Sequence, residues 1–380
     1  MNWLIERFEL SRSDGAHNIR PMEGLRGFAV LLVFLVHYVT LASPWLSDAV
    51  AVRVFARSLH TIGNAGVDLF FVLSGYLIYG SLISRHQPFA RFISRRIRRI
   101  YPGFLVVFLA YALLSLIFPS ESKIPPGAAA GLIYLAANFL LLPGLFPIEP
   151  MITVAWSLSY EMSYYLMIPS IIAVLRLRNR SATWRTLFFI ATAGVFSAWC
   201  LTFGGHTRLL MFIAGVLLHE AIDSRSSPAP SSAWGLAALV IGLGATLIPL
   251  QGSAGAVLKV NILGLCFFVL CLACFRSPSA WLPRAFSWTP LRWLGNMSYS
   301  YYLLHGLALK AGFLALSKVL PADDSGSWFF WALLLPMLML TLLPSAALFL
   351  LVERPFSLAK PMAAATIADD ARPRHTAPQA

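Results

Sequence analysis

The sequence contains few charged residues and few cysteines. Only 12% of its 380 residues are Asp, Glu, Lys or Arg, whereas soluble domains contain about 25%. Hydrophobic residues make up 58% of the chain, and the mean hydropathy is +0.72. This composition excludes an ordinary soluble globular domain and an intrinsically disordered chain, and it indicates a protein that crosses a membrane several times.

The four cysteines, which all fall inside apolar stretches, do not have the spacing of a disulfide framework or a metal site. We therefore expect them to be small buried apolar side chains, and we predict no metal site. The chain also lacks an HExxH motif and a nucleophilic Ser or Cys elbow. Their absence argues against a metalloprotease and against a soluble hydrolase.

Long hydrophobic runs are abundant. A helix needs around 20 mostly apolar residues to cross a bilayer, and the pattern predicts an all-α, polytopic transmembrane helix bundle of about ten spans. The predicted spans are 27–45, 64–83, 102–118, 156–175, 186–203, 209–221, 234–250, 256–275, 298–317 and 328–351. A further apolar piece, 128–143, is bounded by prolines, and we interpret it as an interfacial or partly inserted helix.

The net charge of +13 reflects topology rather than nucleic-acid binding. If the N-terminus is cytoplasmic, 22 of the 29 Lys and Arg residues fall on the cytoplasmic side. This is the positive-inside pattern, and it predicts cytoplasmic termini and an even number of spans. We expect a cytoplasmic leader over 1–19, a membrane domain over 20–358 and a disordered cytoplasmic tail over 359–380. The polar leader favours an uncleaved first span over a signal peptide.

The first apolar stretch, LRGFAVLLVFLVHY, contains two residues that are costly in a membrane, Arg26 and His37. Eleven residues are about three helical turns, so both side chains lie on one face, roughly 16 Å apart. Titratable groups inside a membrane usually face a substrate-filled or water-filled interior. His37 is therefore a candidate general base, although a packing role for it is about equally compatible with this segment alone.

The second stretch, NAGVDLFFVLSGYLI, places Asp68 near its outer end and Ser74 at its middle. Small residues at such a position usually serve helix packing, so contact of Ser74 with substrate is the alternative to a packing role.

The segment RFISRRIRRIYP, which we interpret as a cytoplasmic loop, contains Arg95, Arg96, Arg98 and Arg99 before the third span begins at Pro102. Such a cluster could anchor the chain to anionic lipid headgroups. It could also bind phosphate groups, which arginine recognises with two parallel hydrogen bonds. We favour the phosphate site, because four arginines in five residues exceed what topology needs.

The segment TVAWSLSYEMSYYL places Glu161 about one turn inside the fourth span. Its carboxylate could pair with Arg208, or it could orient a catalytic histidine. Trp156 and Tyr160 suit either an interfacial aromatic belt or a sugar-binding surface. Late in the chain, NMSYSYYLLH places His305 in the ninth span, where a packing role and a direct role are equally compatible with the sequence.

These segments together resemble the acyltransferase-3 family of integral membrane acyltransferases, which modify exported glycans and related molecules. The matching pieces occur in family order, namely LRGFAVLLVFLVHY, AGVDLFFVLSGYLI, RRIRRIYP, WSLSYE, SYSYYLLH and VERPF. The resemblance implies about ten helices around a pocket and an acyl donor, usually acetyl-CoA, supplied from the cytoplasm. It also implies a stand-alone member of the family, without the appended esterase-like domain that some members have.

The resemblance assigns roles to individual positions. Arg26 and His37 match the family's Arg-x10-His pair, Arg96 and Arg99 match its basic motif, and Glu161 matches its carboxylate after Trp-Ser-Leu. The chain departs from the pattern immediately afterwards, because it has Met-Ser where many members have a second acidic residue and Gln. A catalytic pair of carboxylates is therefore not supported at this position.

The sequence thus predicts an acyl-CoA-dependent O-acyltransferase of the bacterial inner membrane, with no permanently bound cofactor. Acyl-CoA is the co-substrate, and the acceptor is a hydroxyl group of an exported glycan or glycolipid. The catalytic residues would be His37 and Glu161. The acyl-CoA site would comprise Arg26, Arg95, Arg96, Arg98 and Arg99. The acceptor site would comprise Asp68, Ser74, Trp156, Tyr160 and His305.

Direct transfer and a covalent acyl-enzyme are both compatible with these residues. Two other functions are also compatible with parts of the pattern. A proton-coupled transporter or flippase for lipid-linked sugars would use intramembrane His and Glu as a proton relay, and a non-catalytic partner of a glycan synthase would need none of the site. Binding of acyl-CoA by the purified protein distinguishes the enzyme from both alternatives.

Overall fold

The computed structural model describes residues 2–10, 20–46, 50–224, 229–321 and 328–358. These residues form helices and short connections, and the only β-type pairing among them is an isolated bridge between Pro143 and Phe146. The all-α prediction is confirmed. The predicted tail, 359–380, and most of the leader, 11–19, lie outside the described residues.

The described ranges contain fifteen α-helices and five shorter or irregular helical segments. The α-helices are α1 Asn2–Phe8, α2 Arg20–Ala42, α3 Val50–Gly63, α4 Ala65–Ser84, α5 Phe89–Ile117, α6 Ala128–Phe139, α7 Trp156–Val174, α8 Ala182–Phe203, α9 Leu210–Asp223, α10 Ser232–Leu247, α11 Gly252–Arg276, α12 Trp281–Phe286, α13 Thr289–Asn296, α14 Ser298–Ser317 and α15 Trp328–Leu348. Single 3-10 turns cover Ser43–Leu46, Pro119–Glu121, Leu177–Asn179 and Thr207–Leu209, and a π-helix covers Phe349–Leu358.

Each of the ten apolar stretches coincides with a helix, because an apolar segment in lipid must satisfy its backbone hydrogen bonds internally. Six helical segments in the described part of the chain are long and apolar enough to cross a membrane. They are Arg20–Leu46, Val50–Ile83, Phe89–Ile117, Ala182–Phe203, Gly252–Arg276 and Trp328–Leu358. The protein is therefore a multi-pass membrane protein, and the count of ten spans and the side of the termini remain predictions.

The segment that precedes the third predicted span is helical, so its interpretation as a loop was wrong. Helix α5 begins at Phe89 and continues through the arginine cluster and Pro102 to Ile117. Arginine is a good helix former, so the cluster extends the span rather than ending it. The arginines therefore point in fixed directions around a helix.

Helix α6 ends at Phe139 and has 12 residues. At 1.5 Å per residue it is roughly 18 Å long, which is too short to cross the bilayer alone. Its end is fixed by Asn138, whose side-chain amide donates to the carbonyl of Glu149 at 3.3 Å and whose Oδ1 accepts from the backbone N–H of Met151 at 2.7 Å. These bonds fold 140–155 back toward the start of α7.

Helix α2 lies at the centre of the bundle and packs against α3, α4, α13 and α14. Helices α4 and α9 approach each other closely because both carry glycine at the crossing. A Cβ atom at Gly75 would lie 2.3 Å from the carbonyl oxygen of Phe212, and one at Gly215 would lie 2.1 Å from that of Val72. Such small residues let backbones meet inside a membrane, and they hold α4 at a fixed depth beside the site described below.

We expect the two ends of α5 to lie on opposite sides of the membrane, because 29 residues extend roughly 44 Å and the positive charge is concentrated at its N-terminal end. In a background with the four buried cysteines replaced by alanine, Ser94→Cys and Asp223→Cys should react only with a cytoplasmic thiol reagent. Ser120→Cys should react only from outside. Labelling of Ser94→Cys and Ser120→Cys from the same side would contradict the predicted topology.

Candidate active site

The face of α2 that contains Arg26 and His37 meets α14. The Arg26 Nη2 donates to Ser298 Oγ at 2.9 Å. Eleven residues further along α2, the His37 ring lies 4.9 Å from the His305 ring, centroid to centroid. Ser298 and His305 are seven residues apart, about two turns of α14. Helix α14 therefore supplies a partner to each of the two costly residues of the first span.

A cavity of about 140 Å³ lies between α2, α4, α5, α7 and α14. Its apolar wall comes mainly from α4. Five predicted site residues line it, namely Arg26, Ser74, Arg96, Arg99 and Glu161. The bundle thus gathers into one space residues that are far apart in the sequence, from Arg26 to Tyr302.

The carboxylate of Glu161 is held at the wall of this cavity. Its Oε1 accepts a hydrogen bond from Ser74 Oγ at 2.9 Å and another from the Tyr165 hydroxyl. Arg208, the alternative partner considered from sequence, pairs instead with Asp68. A carboxylate that accepts two hydroxyl donors in a buried cavity is fixed in orientation.

Glu161 and His37 are not joined in the described contacts. The neighbour of the His37 ring is His305, whereas Glu161 bonds to residues of α4 and α7. The structure therefore shows no contact, among its described residues, by which Glu161 would orient the His37 imidazole directly. The reason is that α14 occupies the side of α2 that His37 faces.

The arginine cluster on α5 separates into two pairs. Arg95 and Arg98 are exposed, while Arg96 and Arg99 are half-buried and point inward, because residues three apart share a helix face. All four arginines line a larger basin of about 1020 Å³ at the N-terminal end of α5, which Arg85 also lines. Arg96 and Arg99 line the basin and the inner cavity alike, so they stand at the junction between the two spaces.

Arg96 is held by aromatic rings. Its guanidinium lies over Phe92 at 5.2 Å and over Tyr165 at 5.5 Å, which is cation–π distance. Its buried Nε has no hydrogen-bond partner among the described residues. An arginine in this state has donors available for an anionic ligand.

His305 is fully buried and has a defined orientation. Its Nδ1 lies 2.9 Å from the Tyr301 carbonyl oxygen, which can only accept, so Nδ1 carries the proton. Its Nε2 has no partner in the described part of the chain. The ring stacks on Tyr301 at 5.2 Å and lies 6.1 Å from Tyr302, which lines the cavity. Neither His37 nor His305 lines the cavity itself.

The remaining predicted residues form a separate cluster at the N-terminal ends of α4 and α7. Asp68 pairs with Arg208 at 3.6 Å, and the Arg208 guanidinium lies 5.2 Å from the Trp156 ring. The Tyr160 hydroxyl is 2.5 Å from His206 Nδ1. We name Asp68, Trp156, Tyr160, His206 and Arg208 the outer cluster, after the side of the membrane on which the charge pattern predicts it to lie. It adjoins the cavity through Val67 and Ser157, which are sequence neighbours of its members.

Sequence reasoning missed several residues of the site. Glu353 forms an ion pair with Arg99 at 2.5 Å, and Tyr165 and Tyr302 line the cavity. Glu353 and Tyr302 lie in the motif segments VERPF and SYSYYLLH, but the motifs alone predicted no role for either residue. The signal was present, since an acidic residue at the end of an apolar helix needs a partner.

Comparison with known proteins identifies the family. A family model described as "Acyltransferase domain" matches residues 20–350. The peptidoglycan O-acetyltransferase OatA of Listeria monocytogenes is 25% identical over 326 residues, covering 76% of this chain and 49% of that protein. The putative peptidoglycan O-acetyltransferase YrhL of Bacillus subtilis is 25% identical over 389 residues, covering 89% and 54%.

The O-acetyltransferase OatA of Staphylococcus aureus is 31% identical over 184 residues, which is 45% of this chain and 27% of that protein. The chain thus spans about half the length, or less, of the curated relatives it matches. No solved structure matches it. Since the family model covers most of the sequence and the helices that build the cavity, the chain belongs to the acyltransferase-3 family of membrane acyltransferases.

Proposed function

We propose that this protein is an O-acyltransferase that moves an acyl group, acetyl in the first instance, from cytoplasmic acyl-CoA to a hydroxyl group of an exported glycan. The position of Arg96 and Arg99 is the main support, because they line both the basic basin and the inner cavity. A donor with an anionic head and a long neutral arm fits this arrangement. The names of the relatives support the acetyl group and the glycan.

The donor's phosphates would bind in the basin. Arg85, Arg91, Arg95 and Arg98 supply positive charge there, and guanidinium groups bind phosphate with two parallel hydrogen bonds. The pantetheine arm would then pass Arg96 and Arg99 into the cavity, along the apolar wall that α4 provides. This order of contacts places the thioester near Ser74 and Glu161, at the centre of the bundle.

The acceptor would approach from the opposite side, past the outer cluster. Trp156 and Tyr160 offer aromatic rings and Asp68 offers a carboxylate, the usual chemistry for binding a sugar. The acceptor hydroxyl oxygen would attack the thioester carbonyl while His37 takes its proton. The carbon–sulfur bond then breaks, and the departing coenzyme A thiolate receives that proton. His37 does not line the cavity, and ring contacts through His305 and Tyr302 connect it to the cavity wall.

The relatives point to peptidoglycan, or a lipid-linked or exported glycan of similar chemistry, as the acceptor. A glycan on the outer face and acyl-CoA in the cytoplasm require an enzyme in the membrane between them, which in bacteria is the inner membrane. Membrane lipids surround the apolar outer faces of the helices, and the exposed arginines can contact anionic headgroups. A transporter or flippase for lipid-linked sugars would not need the acyl-CoA site.

Replacing both junction arginines should abolish most donor binding. Each lost charged hydrogen bond costs about 1.5–3 kcal/mol, so Arg96→Ala with Arg99→Ala should raise the Kd for acetyl-CoA by about a hundredfold or more. Lysine at both positions should restore only part of the affinity, because it lacks the planar fork. Calorimetric titration of the protein in nanodiscs with acetyl-CoA measures the effect.

The matched control is Arg176→Ala with Arg180→Ala. These arginines are exposed and line neither the cavity nor the basin, so acetyl-CoA affinity should not change. Equal affinity of the wild type and the Arg96/Arg99 variant would make the cluster a lipid anchor. Failure of the wild type to bind acetyl-CoA would favour the transporter alternative.

His37→Ala and His37→Gln should abolish transfer while leaving acetyl-CoA affinity unchanged, because a positioned base contributes about 10²–10⁴-fold to the rate. Glu161→Gln should lower the rate and retain donor binding, since it keeps the shape but loses the charge. The assay follows labelled acetyl groups from acetyl-CoA to glycan in reconstituted vesicles, and single-turnover rates separate chemistry from binding.

The control variant is His219→Gln, because His219 is a half-buried helix histidine that packs against Tyr76 and Tyr79 instead of α14. It should retain transfer activity near the wild-type rate. If His37→Gln also transfers acetyl groups near the wild-type rate, His37 is a packing residue, and His305 becomes the candidate base.

A further inference from the structure

The carboxylate of Glu353 is the most completely satisfied polar group beside the proposed donor site. Its side chain is 0% exposed and lies in the π-helix that follows α15. Oε1 accepts from Arg99 Nη1 at 2.5 Å, and Oε2 accepts from the backbone N–H of Ser300 at 3.1 Å and from its Oγ at 2.5 Å. A buried charge is tolerated only when it is paired and hydrogen-bonded in this way.

Glu353 lines neither the inner cavity nor the basin, whereas its partner Arg99 lines both. On its other side, the Arg99 guanidinium lies 5.6 Å from the Tyr299 ring, and the Tyr299 hydroxyl donates to the Ile100 carbonyl at 2.6 Å. Arg99 is therefore clamped between a carboxylate and an anchored ring. Its position depends on α5, α14 and the π-helix together.

Arg96, one turn earlier on α5, is in a different state. None of the ion pairs among the described residues includes it, and its buried Nε has no hydrogen-bond partner there. Two arginines of one motif thus differ in what holds them. Arg99 is neutralised by the buried Glu353, whereas the Nε of Arg96 is without a partner among the described residues.

We infer that Glu353 is a positioning residue of the donor site, which fixes Arg99 at the junction of the basin and the cavity, while Arg96 contacts the donor through its own unpaired donors. The inference rests on the proposed function and adds a division of labour within the basic motif. It also gives the segment VERPF a role, since the π-helix that carries it becomes part of the donor site.

A double-mutant cycle tests this inference, with acetyl-CoA affinity as the readout. Glu353→Gln keeps the shape and an oxygen for Ser300 but loses the charge that holds Arg99, so it should weaken acetyl-CoA binding by about tenfold, the scale seen when groups behind direct ligands are removed. Arg99→Gln should have a similar effect. The double variant should bind no more weakly than the worse single variant, because both changes break one unit.

Arg96→Gln combined with Glu353→Gln should instead bind acetyl-CoA more weakly than either single variant, because Arg96 forms no ion pair with Glu353 in the described residues and would contact the donor itself. Ser300→Ala removes one donor to Glu353 and should cause a smaller loss of the same kind. It also serves as the milder variant if Glu353→Gln fails to fold. Thermal unfolding of each purified variant separates loss of fold from loss of affinity.

The matched control is Glu220→Gln. Glu220 is equally buried and ion-paired with Arg185 at 2.7 Å, on helices that do not line the donor cavity. Its loss should lower thermal stability and leave acetyl-CoA affinity unchanged. A wild-type affinity in Glu353→Gln, or an equal loss in Glu220→Gln, overturns the positioning role. A wild type that does not bind acetyl-CoA overturns the proposed donor, and the inference with it.

Discussion

The need to neutralise charge inside an apolar bundle is the constraint on which the rest of this structure depends. Burying a charged side chain that has no partner costs free energy. In this protein four buried acids form ion pairs with arginines from other segments of the chain. The pairs are Arg99–Glu353, Arg185–Glu220, Arg208–Asp68 and Arg292–Glu23. Three of these pairs join segments that are more than 100 residues apart in sequence, whereas Arg185–Glu220 joins the successive helices α8 and α9. The pairs therefore also help to decide which helices are neighbours. Breaking one would leave an uncompensated charge, which is why such pairs fix an arrangement more than they add net stability.

The proposed active site follows from this arrangement. Helix α14 stands beside α2 and gives Arg26 and His37 their partners, while the π-helix at the end of the described chain holds Arg99. Helix α2, α14 and the π-helix, from early and late parts of the described chain, therefore meet beside the proposed donor site. The buried Nε of Arg96 has no hydrogen-bond partner among the described residues. This donor could bind an anionic ligand in the proposed site.

The basin, the cavity and the outer cluster differ in chemistry, and this succession suits a reaction between substrates on the two sides of a membrane. The basin contains arginine guanidinium groups, the cavity behind it combines an apolar wall from α4 with polar groups that include the fixed Glu161 carboxylate, and the outer cluster combines aromatic rings with a carboxylate. In the proposed reaction the phosphates of acyl-CoA would bind in the basin and its neutral pantetheine arm in the cavity. The acceptor sugar would bind at the outer cluster. Tyr302 lies where the cavity and the histidine pair adjoin, since it lines the cavity and its ring is 6.1 Å from that of His305.

The sequence by itself determined the helical class, the position of the apolar helices and the residues that are costly in a membrane, because those properties depend on local hydropathy and spacing. It identified Arg96 and Arg99 as candidate donor-site residues but interpreted their segment as a loop, so only the structure, in which α5 begins at Phe89, places them on one helix face. Only the tertiary structure decided that His37 meets His305 and not Glu161, that Arg208 pairs with Asp68, and that Arg99 pairs with Glu353. Those outcomes depend on which helices pack together, and packing is settled by glycine-mediated close approach and by charge pairing over separations of up to 283 residues.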